Sequence, residues 1–178
     1  MSTVELGGEE IDYLILEQQI CFALAVASRS VIALYRPVLE PLGLTHPQYL
    51  VMVALWQSKS LSVKEISALL QVESPSVSPV LKRLQAAGLV ERHRDVTDER
   101  SVRITLTPRG VALREEAGHI PMAMVERLGM SIPELEALHA TLTHVIERAH
   151  HYAPETPEGT SVAERTSVAE GTSDADVG

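Results

Sequence analysis

The stretch from Leu61 to Gly110 constrains this chain more than any other. Val63, Ile66, Leu69 and Leu70 recur at helical spacing and predict a short helix with one apolar face. Ser74 suits the cap of a second helix and Pro75 its first position. On that second helix Val77, Val80, Leu81 and Leu84 are expected to face inward, leaving Ser76, Ser78, Lys82 and Arg83 outside. Gly88 is the expected left-handed terminator. LVERHR and SVRITLT then alternate like two paired strands joined by the polar turn DVTDER. Helix, turn, helix and basic hairpin in this order suit DNA. Short polar side chains at the start of a helix fit the major groove, and a basic hairpin beside it reaches the backbone or the minor groove. The same residues also fit an α+β subdomain with a solvated basic face.

Charge decides how such a chain could meet DNA, because its formal net charge is −9. Residues 1–20 hold five acidic and no basic residues, and residues 154–178 hold six acidic residues and one arginine. The stretch 21–153 is close to neutral, with 14 basic against 13 acidic residues. Within 81–109 there are seven basic and four acidic residues. Binding follows this local field rather than the overall charge.

The flanks read as helices. Residues 10–36 are expected to form a long helix, with Ile20, Leu24, Ala27, Val31 and Leu34 in alternating steps of four and three, interrupted by Pro37 and Pro41. Thr45 is the expected cap of a further apolar helix ending near Trp56. Residues 108–128 predict a helix with Leu113, Ala117, Ile120, Met124 and Leu128 inward. Ser131-Ile132-Pro133-Glu134 is a helix start. Leu135, Leu138, Leu142, Val145 and Ala149 behind it make a seam for a partner helix. A helical seam at each end of a small head suggests two interlocked chains. The expected organisation is an acidic arm at 1–9, a body at 10–153 and a disordered acidic tail at 154–178. Within the body, the reading head spans about 58–110 and the dimerisation helices 10–36 and 111–153. The tail carries the successive units GTSVAE, RTSVAE and GTSDAD, which have no apolar face to bury. The N-terminus has no hydrophobic signal region, and no uninterrupted apolar run approaches the roughly 18 residues of a membrane span, so a cytoplasmic protein without membrane contact is expected.

The pattern from Leu61 to Gly110 resembles the MarR family of winged-helix regulators. The run DERSVRITLT fits the family's wing through Asp98, Arg100 and Leu106-Thr107, and AAGLVER fits the end of its recognition helix. The segment LEQQICFALAVASRSVIALYRPVLEPLGLTHPQYLVMVALW is similar to the organic hydroperoxide resistance regulators of that family, with ICF and PQYL the most specific parts. The resemblance runs from about residue 14 to residue 150. It implies a mainly α fold with a small β-hairpin wing, a winged helix-turn-helix whose terminal helices form the dimer. It implies a homodimeric repressor on a near-palindromic double-stranded operator, with an organic hydroperoxide as signal and a small cellular thiol as partner in a mixed disulfide. Position by position, the sensing cysteine falls on Cys21, one of two tyrosines facing the thiolate on Tyr35, and the wing arginine on Arg100. The second tyrosine falls on His46 and a further one on Ala25, both departures from the family.

Cys21 is the single cysteine, so an intrachain disulfide is excluded. Alone, a cysteine between Ile20 and Phe22 reads equally as an inert core residue. Reactivity belongs to the thiolate, and no cation lies near Cys21 in sequence, so donors from tertiary structure or a helix N-terminus have to favour it. Tyr35 lies fourteen residues away, about 21 Å along one helix, too far for a contact within the chain. The pair requires a second subunit. His46 can donate from either ring nitrogen or carry a charge, or serve only as a helix-start residue. The DNA-facing candidates are Ser74, Ser76, Ser78, Lys82, Arg83, Arg94, Asp98 and Arg100. Lys82 and Arg83 suit phosphates and Arg100 suits a narrow minor groove, with Arg92 and Arg103 as weaker cations of the same kind. Arg100 also fits a surface arginine paired with Asp98. Pro79 is out of place in a helix interior: either the helix bends there or its regular part begins near Ser78. His139, His144, His150 and His151 do not share one helical face, so no metal site is expected. No nucleophile elbow, phosphate loop or dinucleotide fingerprint is present, so no catalytic residue and no cofactor are expected. Three other readings fit the sequence: a repressor of the same fold released by a small aromatic ligand in the dimer cleft, an architectural DNA-binding protein, and a helical interaction module.

Overall fold

The computed structural model describes residues 3–6, 9–12, 15–94 and 102–152, with side chains for the last two stretches. The expected acidic tail and the tip of the hairpin lie outside them. The chain divides into two compact units, Met1–Met130 and Ser131–Gly178.

The first unit opens with a two-stranded hairpin, β1 (Thr3–Leu6) and β2 (Glu9–Asp12), in which Val4 stands opposite Ile11. A helix was expected from residue 10. It begins instead at Ile20, after a short 3-10 turn at Leu16–Gln18, because 9–12 are paired in the hairpin and Gln19 is extended (ψ 124°). This helix, α1 (Ile20–Leu39), runs through Pro37 rather than stopping there. Pro37 only forgoes the amide bond to Ala33, one turn back. A 3-10 turn at Glu40–Leu42 and left-handed Gly43 lead to α2 (His46–Ser58). There the Thr45 amide and hydroxyl both donate to Gln48 Oε1, at 2.8 and 2.9 Å, so Thr45 caps as expected.

α2 is apolar around most of its circumference, and the fold uses that. It packs on α1, on α3 (Val63–Leu70), on α4 (Ser74–Ala86), on α5 (Pro108–Glu116) and on the sheet. Met52 and Leu55 are wholly buried there with Ile66, Leu81, Leu84, Ile104 and Ile120. Each such side chain contributes about 1.5–3 kcal/mol of burial. The sheet has three antiparallel strands in the order β3 (Ser60–Ser62), β5 (Val102–Leu106), β4 (Val90–Arg94). β4 and β5 are the hairpin read from the sequence. β3 was not foreseen: three residues are too short for an alternating signal, and Leu61 finds its place only opposite Ile104.

Two details of α3 and α4 differ from expectation. Leu69 is 57% exposed rather than inward, because it stands about 100° around the helix from Leu70 and the buried stripe follows Val63, Ile66 and Ser67. The cap of α4 is Glu73, so Ser74 and Pro75 are its first two residues. The helix continues unbroken past Pro79 to Ala86, so its regular part does not begin at Ser78. Gly88 closes it at φ +68° as expected. The expected helix 108–128 is α5, a 3-10 turn at Ala117–His119, and α6 (Ile120–Leu128), with Leu113, Ala117, Ile120 and Met124 buried. α1 packs against α6, while Ile20, Leu24, Val26 and Ile32 of α1 remain exposed. The segment Ile20–Leu42 is long and apolar enough to cross a membrane by length and composition, with a mean hydropathy of 1.4. Counting uninterrupted runs missed this, because Arg29 breaks the run without lowering the average much.

The second unit holds α7 (Ile132–Tyr152), about 30 Å long. The Ser131 amide and hydroxyl donate to Glu134 Oε2 at 2.8 and 2.6 Å, the start read from the sequence. None of its residues is buried, so the seam with Leu138 and Val145 is uncovered.

Gly110 is the tightest point. A methyl group there would overlap the Leu89 carbonyl oxygen, which belongs to buried backbone. Gly110→Ala is therefore expected to lower stability by about 1–3 kcal/mol, read from the urea midpoint. An unchanged midpoint would show that α5 can shift freely.

Candidate DNA interface and thiol site

Local hydrogen bonds fix the start of α3 and its turn into α4. Glu65 N–H donates to Ser62 Oγ at 3.2 Å and Ser62 N–H to Glu65 Oε2 at 2.6 Å, closing the start of α3. The Glu65 carboxyl is held below the usual range by the Ser62 backbone and side chain first, and by Arg103 after them. α3 ends at Gln71 in a left-handed conformation (φ +53°). The Ser67 hydroxyl donates to the Val63 carbonyl at 2.8 Å and lies 3.1 Å from Ser74 Oγ, joining the two helices at the turn.

On α4, Val77, Leu81 and Leu84 are buried and Val80 partly so, as expected. Ser74, Ser76, Lys82 and Arg83 are exposed and Ser78 is half-buried. Ser78 and Lys82 run along one edge of the outer face, Ser76 and Arg83 along the other. Pro75 and Pro79 lie exposed between them. Arg92 and Arg94 stand exposed on β4, whose Arg94 pairs with Val102 at the last described step before the tip. Asp98 and Arg100 lie outside the described residues. Arg103 is not an open cation: Nη1 meets Glu65 Oε2 at 2.7 Å, Nε meets Ser60 Oγ at 3.2 Å and Nη2 meets the Ser60 carbonyl at 3.2 Å. The sequence could not show this, since its partners are some forty residues away.

Cys21 is the second residue of α1, exposed, with Sγ 3.4 Å from Gln19 Oε1. Tyr35 and His46 are brought together, their ring centres 4.9 Å apart. Cys21 is not brought to them; it stays at the opposite end of the same helix. Behind the pair the aromatic contacts continue to Tyr49, 5.9 Å from Tyr35, and to Trp56, 6.3 Å from Tyr49. The Trp56 indole donates to the Gly110 carbonyl at 2.8 Å. Tyr49 and Trp56 were overlooked as site neighbours, although a spacing of seven on α2 already puts them on one face.

Burial raises the hydroxyl pKa of Tyr35, and burial with the nearby Tyr35 charge raises that of Tyr49. Burial lowers the pKa of His46 from 6.5, which favours the neutral imidazole. Beside His46 opens a cleft of about 580 Å³, lined by Arg29, Ile32, Arg36, Leu44 and Pro47 among others. Among the described residues, no three His, Cys, Asp or Glu side chains are grouped to hold a metal ion.

The MarR family pattern matches residues 44–102. The chain is 38% identical over 141 residues to the organic hydroperoxide resistance transcriptional regulator of Bacillus subtilis, covering 79% of this chain and 96% of that protein. It is 40% identical over 141 residues to the HTH-type transcriptional regulator TtmR of Methylorubrum extorquens, covering 79% of this chain and 72% of that protein. Reduced AbfR bound to DNA superposes with a TM-score of 0.59 at 34% identity, over 75% of this chain and 97% of that one; AbfR is a protein of Staphylococcus epidermidis.

His46 generates a pH prediction. Its folded pKa lies below 6.5, so near pH 6 the unfolded chain binds the proton more readily. The stability linked to His46 is complete above 6.5 and is lost as pH falls through 6.5 toward the folded value. His46→Gln is expected to flatten that decline in melting temperature between pH 7.5 and 5.5. A variant with the wild-type slope would reject the assignment.

Proposed function

This chain belongs to the MarR family of transcriptional regulators, and on that premise we propose that it is a cytoplasmic, homodimeric repressor that leaves its operator when an organic hydroperoxide oxidises Cys21. The observation that carries this reading is the layout of α1. An exposed thiol sits at one end and the Tyr35–His46 pair at the other, fourteen residues apart. Cys21 and Tyr35 are placed symmetrically about Ser28. A second α1 crossing antiparallel near Ser28 brings each Cys21 to the other copy's Tyr35 and His46. The exposed Ala25, Ala27 and Ser28 leave room for a close crossing. The same crossing covers the apolar surface of α1. A membrane span fits less well, since Arg29 would stand near the bilayer centre at about 2.5–3.5 kcal/mol.

The chemistry balances with the residues named. The Cys21 thiolate attacks the terminal peroxide oxygen and the O–O bond breaks. Sulfur is oxidised by two electrons to sulfenic acid, and the departing alkoxide leaves as an alcohol. Its proton comes from water or from a donor such as Tyr35 or neutral His46. This chain has no second cysteine, so the sulfenic acid persists, condenses with a small cellular thiol or condenses with Cys21 of the other copy, each condensation releasing water; the family resemblance favours the small thiol. The related AbfR is known in reduced and overoxidized forms bound to DNA and in a disulfide form. A bulky disulfide adduct beside half-buried Phe22 strains the crossing that spaces the two heads, and only such differential stability can drive release.

In the dimer the two α4 helices enter successive major grooves of a near-palindromic duplex, and Lys82, Arg83 and Arg94 meet phosphates. Ser74, Ser76 and Ser78 face base edges from the start of α4, and Arg100, flanked by Asp98, enters the minor groove. One observation favours a second reading of the same fold. The cleft beside His46 combines apolar walls with Arg29, Arg36 and Glu40, a lining that suits a small aromatic or phenolic ligand acting as inducer while Cys21 stays inert.

Cys21→Ser separates the two. It is expected to bind the operator like the wild type and to stay bound through a hydroperoxide titration that releases the wild type, with a thiol reductant restoring the latter. Equal release of both proteins rejects the redox reading and favours the cleft ligand. Arg100→Ala is expected to weaken operator binding by about 1–3 kcal/mol at fixed salt with the melting temperature unchanged. Unchanged affinity in a gel-shift titration removes Arg100 from the interface.

A further inference from the structure

A head that reads two grooves has to hold its hairpin and its recognition helix at one fixed angle; α4 meets β4 directly, and one carboxylate oxygen adds a link from the hairpin to α3. Glu65 Oε2 accepts from Ser62 N–H at the start of α3 and from Arg103 Nη1 on β5. The other guanidinium nitrogens of Arg103 hold Ser60 on β3, so one planar fork spans α3, β3 and β5. α3 in turn packs on α4, with Ser67 Oγ 3.1 Å from Ser74 Oγ. Beside the direct contact of α4 with β4, a second path from wing strand to recognition helix therefore runs through β5, Arg103, Glu65, α3 and the serine contact. Both side chains are solvated, 31% exposed for Arg103 and 49% for Glu65, and such a pair adds little to folding stability. A carboxylate on the head also repels phosphate. Capping α3 accounts for the carboxylate itself; its pairing with Arg103 asks for a role other than core stability or attraction to DNA.

We propose that Glu65 and Arg103 are positioning residues for DNA reading: their ion pair sets the wing at the angle that lets it and α4 contact the same duplex. Arg103 acts through Glu65 and Ser60, not by touching phosphate. This rests on the DNA-reading function proposed above.

The test turns on a sign. Glu65→Gln keeps an acceptor for the Ser62 amide, since glutamine also completes a capping box, and removes only the charge. Electrostatics alone predicts tighter DNA binding from losing an acid. The positioning role predicts weaker specific binding, by about fivefold or more. Arg103→Lys keeps the charge but not the fork and is expected to lose affinity to the same extent, with the double variant no worse than either single one. Binding to random-sequence duplex is expected to stay at the wild-type value for Arg103→Lys and at or slightly above it for Glu65→Gln, and both melting temperatures to stay within about 2 °C of wild type.

The probe is a duplex that the full-length wild type enriches from a random pool, compared with unselected duplex at fixed salt. If Glu65→Gln binds the selected duplex as tightly as the wild type or more tightly, the positioning role is overturned while DNA reading stands. If Arg103→Lys binds normally, Arg103 is only a cation and the role is again overturned. A wild type that enriches no duplex overturns DNA reading, and this role with it.

Discussion

The first unit depends on one crowded junction of backbone around Leu89. The Leu89 amide donates to the Leu84 carbonyl at the end of α4, and its carbonyl accepts from the Thr107 amide at the start of α5. The Thr107 hydroxyl donates to the Gly88 carbonyl at 2.7 Å and accepts from the Gly110 amide at 3.0 Å. The Trp56 indole reaches the Gly110 carbonyl from α2. Arg109 adds a bond to the Ala87 carbonyl at 3.0 Å. The carbonyls of Ala87, Gly88 and Leu89, just past α4, thus accept from the chain that returns from the hairpin, while those of Arg83, Leu84 and Gln85 accept from the amides of Ala87, Leu89 and Gly88. That is why α4 and the hairpin form one body, and why a glycine is required at position 110.

From this junction an aromatic path leads through Trp56 and Tyr49 to Tyr35 and His46. The path joins the head to the far end of α1 and ends in a half-buried imidazole. On the proposed reading the sensing thiol is supplied there by another copy, so chemistry at Cys21 and the packing of α2 share one set of side chains. Rigid aromatic contacts transmit a displacement where flexible side chains would absorb it. On that reading a lone cysteine can be exposed in one chain and still meet a shaped site.

Charge follows the same division. The acidic residues concentrated at 1–20 and 154–178 leave the body almost neutral, while the cations gather on α4 and the hairpin. Not all of those cations are equivalent. Lys82, Arg83, Arg92 and Arg94 project into solvent, whereas Arg103 is held in a fork between Ser60 and Glu65. Counting arginines in the sequence overstates the field available to a phosphate and misses the brace that keeps the wing in place.

The sequence by itself determined the local elements whose causes lie within one or two turns of chain. The apolar spacing of α3 and α4, the Thr45 and Ser131–Glu134 starts, the Gly88 stop and the alternation of β4 and β5 were all legible there. So was the separation of Cys21 from Tyr35, which follows from helix rise alone. Elsewhere sequence reasoning failed: the helix spaced from Ile20 was expected to reach back to residue 10, where 10–12 pair in a hairpin, and Ser74 looks like a cap although Glu73 takes that place. Tertiary structure alone decided the rest. It made β3 a strand, joined Tyr35 to His46, opened the cleft beside them and assigned Arg103 to Glu65. Those relations bring together residues from ten to more than forty positions apart. Their energy comes from burial and hydrogen bonds that exist only once the chain has closed on itself.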